Sequence, residues 1–478
     1  MGSERQDGLE IVWFRRDLRL HDHPALTAAA SAPRLLCVFV FDDRLLHGRH
    51  GSRVRTGFLL EALAELRWSL AERGQKLVLR RGRPEVELRS LALATGATRV
   101  HATADVGPYA HAREAAARAA LAEIAVELRL HPGCFACDDP AAVAGTTIFT
   151  PYYRRWLAAP RREPLAVPTL PPPPPPPPPL DAGELPSVDD LAPPGADAPA
   201  RPRGGERAGR ERMTRFLAGP VREYARLHDL PARAATSRLS PYLHFGCVSA
   251  RELEARLGRS EGEQAFRRQL AWRDFYAALL RRDPLLARRE LRVEYRALRW
   301  QRDERALRAW RDGLTGYPLV DAAMRQLRHE GWVHNRARLV AGSFLTKHLG
   351  VDWREGERWY MRMLVDGDEA SNNGNWQWIA SVGSDPAPPA RRILNPTLQA
   401  ERFDPDGEYI ARYVPELANV PARYRRQPWL MPEALQRQCG CVIGRDYPPP
   451  IVDHRAARER ALARYRAARA AAPACGRR

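Results

Sequence analysis

The stretch Asp366-Gly-Asp-Glu-Ala-Ser-Asn-Asn-Gly-Asn-Trp-Gln-Trp378 decides how the rest of the chain is read. It sets two aspartates, two adjacent amides, two glycines and two tryptophans within a few turns of backbone. A segment built only for packing would use leucine and alanine here. Carboxylates and amides are costly to bury unless something fills their hydrogen-bonding capacity. Glycines let backbone approach a ligand closely. Indoles supply flat, polarisable surface for stacking or for carrying an electron. A planar, hydrogen-bonding, redox-active ligand satisfies all of these demands at once.

The 478 residues around this stretch suit two or three domains, and a hydrophobic content of 44% supports real cores. No apolar run is long enough to span a bilayer. The N-terminus lacks the charged, apolar and small-residue order of a signal peptide, so a cytoplasmic protein is expected. Seven cysteines, odd in number and scattered, suit a reducing compartment. Cys134 and Cys137 form a lone C-x-x-C and Cys439 and Cys441 a C-x-C; nothing in the sequence brings the pairs together, and no metal site is expected. The net charge is +19 and the pI about 10.2. Lysine occurs only at Lys76 and Lys347, so arginine carries the charge. GC-rich coding inflates arginine and alanine but does not by itself create a positive excess, which favours nucleic acid as partner.

Residues 9 to about 131 alternate short apolar runs with amphipathic stretches. Strands are expected at 9–14, 35–41, 76–79, 99–102 and 126–130. Between them, Leu59, Leu63, Leu66 and Leu70 recur at helical spacing. Such alternation predicts a parallel, Rossmann-like sheet with helices on both faces and a ligand at the carboxyl ends of its strands. No G-x-G-x-x-G follows the first strand, so a dinucleotide is not expected there. Residues 171–179 are unbroken proline, which predicts an extended surface tether. From about Glu206 onward the pattern is helical. Gln269, Trp272, Arg273 and Tyr276 share one helix face. The Arg/Ala-rich tail after Arg455 reads as a solvated basic helix. The expected domains are α/β over 1–132, a proline-rich connector over 133–205 and an all-α domain over 206–478.

Further blocks surround the opening stretch: Ile11-Val-Trp-Phe-Arg-Arg-Asp-Leu-Arg-Leu-His-Asp22, Thr236-Ser-Arg-Leu-Ser240, Trp272-Arg-Asp-Phe-Tyr276, Trp332-Val-His-Asn-Arg336 and Tyr447-Pro-Pro-Pro-Ile-Val-Asp-His454. Ser240 followed by Pro241 reads as a helix cap, and free N–H groups at a helix start hold anions. In this order, over nearly the whole chain, the blocks resemble the photolyase/cryptochrome family, most of all its bacterial class I cyclobutane-dimer enzymes. The resemblance implies FAD in the helical domain. Thr236, Ser237, Arg238, Leu239 and Ser240 would cradle its pyrophosphate. Tyr224, Arg273, Trp332, Asn335, Arg338, Asp366, Asp368 and Asn372 would complete the site. Arg338 and Asp366 would pair beside the ring, and Asn372 would face flavin N5. An amide there favours a held, fully reduced flavin, whereas an aspartate would suggest a receptor. Trp376, Trp353 and Trp300 match the family's electron relay.

The same resemblance implies UV-damaged DNA as substrate and light-driven splitting of cyclobutane pyrimidine dimers by a monomeric carbon–carbon lyase. The family's flipping of the lesion is a general property of photolyases. Trp272 and Trp378 match the aromatic walls of the lesion slot, and Arg336 and Arg392 match contacts to flanking phosphates. Two positions depart from the dimer-repair pattern: Gln269 replaces the usual glutamate and Leu339 the usual methionine. Gln269 also suits (6-4) enzymes and animal-type cryptochromes, but Asn335 and Leu339 stand where (6-4) repair needs its histidine pair. The alternative function is a cryptochrome-type blue-light photoreceptor without repair. The family's second, light-harvesting antenna chromophore would sit near Tyr109-Ala-His-Ala-Arg113; methenyltetrahydrofolate, 8-hydroxy-deazaflavin and no second chromophore at all are the alternatives, and the sequence does not choose among them.

Overall fold

The computed structural model describes residues 8–174, 181–195 and 197–472. Its sheet has five strands: β1 Leu9–Phe14, β2 Arg34–Phe41, β3 Leu77–Arg81, β4 Ala97–Thr103 and β5 Glu127–His131. All pairings are parallel, and the strand order is β3-β2-β1-β4-β5. The central strands β1 and β2 read as apolar runs because both faces are covered, whereas the edge strand β5, Glu127-Leu-Arg-Leu-His131, alternates. Ile11, Trp13, Leu36, Val38 and Val40 point to one core, while Val12, Phe14, Cys37, Phe39 and Phe41 point to another that continues into the helical half. The period of two thus sorts β1, β2 and β3 between two cores.

The elements used below are α1 Arg53–Ala71, α2 Pro84–Thr95, α3 Pro108–Ala122, α4 Phe149–Ala158, α5 Ser240–His244, α6 Glu261–Arg282, α7 Asn335–Ser343, α8 Trp353–Met363, α9 Glu369–Ile379 and α10 His454–Ala471. From residue 206 on, the described chain is helical apart from turns, loops and isolated bridges. The two halves are clamped through the stretch after β1. Leu18 N–H donates to Phe245 O, Arg19 Nη1 to Gly246 O and Arg16 Nε to His244 O, at 3.1, 2.9 and 2.9 Å. Gly246, at φ +65°, lies so close to the Arg16 carbonyl that a Cβ would collide with backbone.

Three expectations need correction. Ser240 does not cap α5: Leu239 is the cap residue, and the Ser240 hydroxyl accepts from Trp332 Nε1 at 3.1 Å. The tail helix α10 is not simply solvated. Ala457, Ala461, Tyr465 and Ala468, spaced by three and four, are buried. The Tyr465 hydroxyl accepts from the buried Lys347 Nζ at 2.7 Å. The stretch 133–205, expected as a proline-rich connector, contains the helix α4, whose Phe149, Tyr152 and Trp156 are buried at spacings of three and four. Part of the proline run, 175–180 with the leucine after it, lies outside the described residues. On either side, the chain runs along the sheet: Leu35 N–H donates to Pro172 O at 3.2 Å and Leu79 N–H to Ala182 O at 2.8 Å.

Candidate functional site

The helical half encloses a cavity of about 460 Å³. Helix α6 forms one wall. Its capping box, Ser260 with Glu263, starts the helix, and the 3–4 spacing then sets Gln269, Trp272, Arg273 and Tyr276 on the cavity side. Helix α9 forms the opposite wall. Its cap is Asp368, whose side chain accepts from Ser371 N at 2.8 Å. Gly374 lets α9 meet α6 closely: a Cβ there would lie inside the Tyr276 ring's contact distance. Gly356 on α8 makes the same room for Trp376.

The lining includes every residue expected to hold a flavin: Tyr224, Thr236, Ser237, Arg238, Leu239, Ser240, Arg273, Trp332, Asn335, Arg338, Asp366, Asp368 and Asn372. Gln269, Trp272, Leu339, Trp376 and Trp378 line it as well. Arg338 Nη2 pairs with Asp366 Oδ2 at 2.8 Å, and Arg338 Nε donates to Val333 O at 2.7 Å. Arg273 donates to Cys134 O and Leu243 O at 2.6 and 3.1 Å, which aims its guanidinium across the domain boundary. Asp368 pairs with Arg16 at 2.7 Å. Burial alone would raise the Asp368 carboxyl; the guanidiniums of Arg16 and Arg273 outweigh it and hold the group well below the usual carboxylate range.

Asn372 is buried, and its Nδ2 donates to Glu357 O and Glu357 Oε1 at 3.0 and 3.2 Å. A backbone carbonyl only accepts, so this contact fixes which end of the amide is Nδ2. Its Oδ1 is left to meet a donor. Burial pushes the Glu357 carboxyl up, against the pull of His50 and Arg49.

The cavity is built for a polar guest. The Tyr360 hydroxyl and His244 Nδ1 are buried without a hydrogen-bond partner among the described residues, and both residues line it. Such orphaned groups are rare unless a ligand satisfies them. Burial, with Arg16, Arg55 and Arg273 adding to it, lowers His244 far below the usual imidazole range, so it stays neutral. Arg238 sits at φ +50°, turning the Thr236–Ser240 loop back toward Trp332, and its guanidinium lies 4.4 Å over that indole. These features fit FAD: a pyrophosphate against the loop, a pyrimidine-like edge against Arg338 and Asp366, and an amide oxygen for a ring N–H.

Trp353 and Trp300 lie outside the lining. Trp376 is on the cavity wall, Trp353 is fully buried and Trp300 is half-buried. Trp376 packs edge-on against Tyr360 and Trp310, with centroids 5.0 and 6.1 Å away. Arg336 and Arg392 also lie outside. Arg336 pairs with Asp229 at 2.5 Å and covers Phe403. Arg392 pairs with Asp385 at 2.5 Å and lies 3.5 Å over Trp378. Sequence reasoning missed Tyr360, His244 and Ser371. Ser371 belongs to the opening stretch; nothing in the spacing of the other two sets them beside it.

A second cavity, about 650 Å³, lies at the carboxyl ends of β1, β2 and β4, where parallel sheets of this topology bind ligands. Trp13, Asp42, Arg44, Tyr109 and Arg113 line it. The Tyr109 hydroxyl donates to Asp42, and burial with this carboxylate pushes the phenol up to about 12.

Comparison with known proteins agrees with this geometry. Residues 10–178 match a family described as DNA photolyase, and residues 266–467 match the FAD binding domain of DNA photolyase. The chain is 45% identical over 462 residues to a deoxyribodipyrimidine photo-lyase from Streptomyces griseus, covering 94% of this chain and 97% of that one. A bacterial class III photolyase from Agrobacterium tumefaciens superposes with a TM-score of 0.89 at 34% identity, over 98% of this chain and 99% of the other. A cryptochrome from Synechocystis sp. PCC6803 superposes at 0.87 with 28% identity, over 96% and 100%.

Proposed function

The chain belongs to the DNA photolyase family, and from that premise we propose that it splits cyclobutane pyrimidine dimers in UV-damaged DNA under light, as a monomer. The observation that carries the reading is the juxtaposition of two aromatic walls, Trp272 and Trp378, with the polar cradle around Arg338, Asp366 and Asn372 in one cavity.

Reduced FAD, when bound, supplies under light the electron that breaks the dimer and then takes it back. The rest falls to the protein. Arg338 and Asp366 offer a donor and an acceptor to the ring's pyrimidine-like edge. Asn372, whose Nδ2 is held by Glu357, would offer its carbonyl oxygen to a ring N–H of the reduced cofactor. Trp376, Trp353 and Trp300 would form the path by which an electron from an external reductant reaches an oxidised cofactor. Trp272 and Trp378 stack on the two pyrimidines, at about 1–3 kcal/mol per stacked base. Gln269, exposed at the mouth, hydrogen-bonds a pyrimidine edge. Arg336 and Arg392 steer flanking phosphates. Dimer splitting needs no acid, which suits a cavity whose histidine is held neutral. The sheet cavity takes the second chromophore, methenyltetrahydrofolate or 8-hydroxy-deazaflavin.

The test is direct. The purified protein is reduced and illuminated with dimer-containing DNA, and intact dimers are counted. Loss of dimers that depends on light and on reduced flavin supports the reading. A yellow protein that leaves dimers intact under saturating light rejects it and favours a blue-light receptor, the reading that Gln269, Leu339 and the likeness to a cryptochrome support.

A further inference from the structure

Helix α4 packs against the back of the candidate lesion wall. Phe149 is buried, and its ring lies parallel on Trp272, with 3.6 Å between centroids and 4° between planes. Tyr153, one turn on, continues the stack at 5.6 Å and 15°. Phe275 closes it from the side, edge-on to Phe149. One face of the Trp272 indole is therefore taken by protein, and Trp272 lines the cavity with what remains. Arg268, exposed on α6 one turn before Trp272, lies over both Phe149 and Tyr153 at 4.9 and 5.2 Å. Unlike Arg336 and Arg392, it is held by rings and pairs with no carboxylate among the described residues.

A half-buried tryptophan on a helix face has rotamer freedom to lose when a base stacks on it, and that loss subtracts from affinity. A fixed ring behind it removes the loss in advance. A guanidinium lying on aromatic rings is oriented and shielded on one face only, so its edge N–H groups stay open to an anion. We infer that α4 belongs to the DNA-binding surface: Phe149 is a positioning residue that holds Trp272 against an extruded pyrimidine, and Arg268, laid on the Phe149–Tyr153 stack, takes a phosphate of the same strand. The inference rests on the dimer-splitting reading above and assigns it a recognition element from outside the flavin-binding half.

The test uses the flavin-loaded protein in the dark, with a duplex carrying one thymine dimer and the same duplex undamaged. Phe149→Ala should weaken dimer binding about tenfold, the size of a lost or misplaced base stack, and change undamaged binding less than twofold. Phe149→Tyr should restore the wild-type ratio. Arg268→Gln should weaken both duplexes and lower the salt dependence by about one counterion. Flavin absorbance and melting temperature report folding. Should Phe149→Ala lose flavin, Phe149→Leu keeps the volume without the plane and is read in the same way. An unchanged damaged-to-undamaged ratio in whichever variant folds, while the wild type prefers the dimer, overturns this inference and leaves the reaction standing. A wild type with no preference for the dimer overturns both.

Discussion

Asp274 offers a test of how α4 is tied to the site. It lies on α6 between Arg273 and Phe275 and is fully buried. Its Oδ2 accepts from Trp156 Nε1 on α4 and from Cys137 N, both at 2.9 Å, while its Oδ1 has no partner among the described residues. Burial raises the carboxyl to about 6, although Arg273, Trp156 and Cys137 pull the other way. The displacement from 3.8 to about 6, at about 1.4 kcal/mol per tenfold in proton affinity, corresponds to about 3 kcal/mol. The native state holds this proton more tightly than the unfolded chain. The contribution is therefore fully present below pH 3.8 and is lost as pH rises through about 6. Asp274→Asn keeps the shape and the accepting oxygen but never ionises. Its stability relative to wild type should rise by about 3 kcal/mol between roughly pH 3 and pH 8. Denaturant unfolding of both proteins across that range, followed by circular dichroism, gives the difference. Parallel stability curves would refute the reasoning, because they would mean that the buried carboxyl titrates as it does in the unfolded chain.

Other expectations follow from the same packing. Arg338→Ala leaves the buried Asp366 carboxylate without its partner; because Arg338 itself is a quarter exposed, the loss should be about 1–3 kcal/mol; the protein should melt lower and purify with little flavin absorbance, and a fully yellow, equally stable variant would contradict the cradle. Gly374→Ala drives a methyl group into Tyr276 and should displace α9 from α6, seen as lost flavin and a lower melting temperature. Gln269→Glu should keep or raise dimer splitting under light; a large loss would show that the base edge is bound elsewhere. Trp353→Phe conserves an apolar ring in a fully buried position, so flavin content should hold while photoreduction slows by tenfold or more, on the order of one lost relay step; an unchanged rate would move the path to Tyr360 and Trp310.

The α/β sheet was legible strand by strand, with the ends of β2 to β5 off by one or two residues, because a buried parallel strand reads as a short apolar run whatever surrounds it. The opening stretch announced a ligand because carboxylates, amides and glycines cannot share a helix with tryptophans in a plain core. The grouping on α6 was equally readable, since a 3.6-residue period determines which side chains share a face. Local pattern also allowed a false inference: Ser240-Pro241 looks like a cap, but its hydroxyl is claimed by Trp332 from a segment some ninety residues away. The Phe149, Tyr152 and Trp156 spacing was visible too, yet the proline run after it drew the whole stretch into a single connector.

What the chain determined by itself is therefore the class of each half, the run of residues that demand a cofactor and the sign of the partner's charge. These depend on composition and period, which are local. Only the folded structure decided that α4 backs Trp272, that Glu357 orients Asn372 and that Arg336 and Arg392 carry carboxylate partners. Each of those is a contact between segments far apart in the chain, and spacing along a sequence holds no record of which distant surfaces will be pressed together.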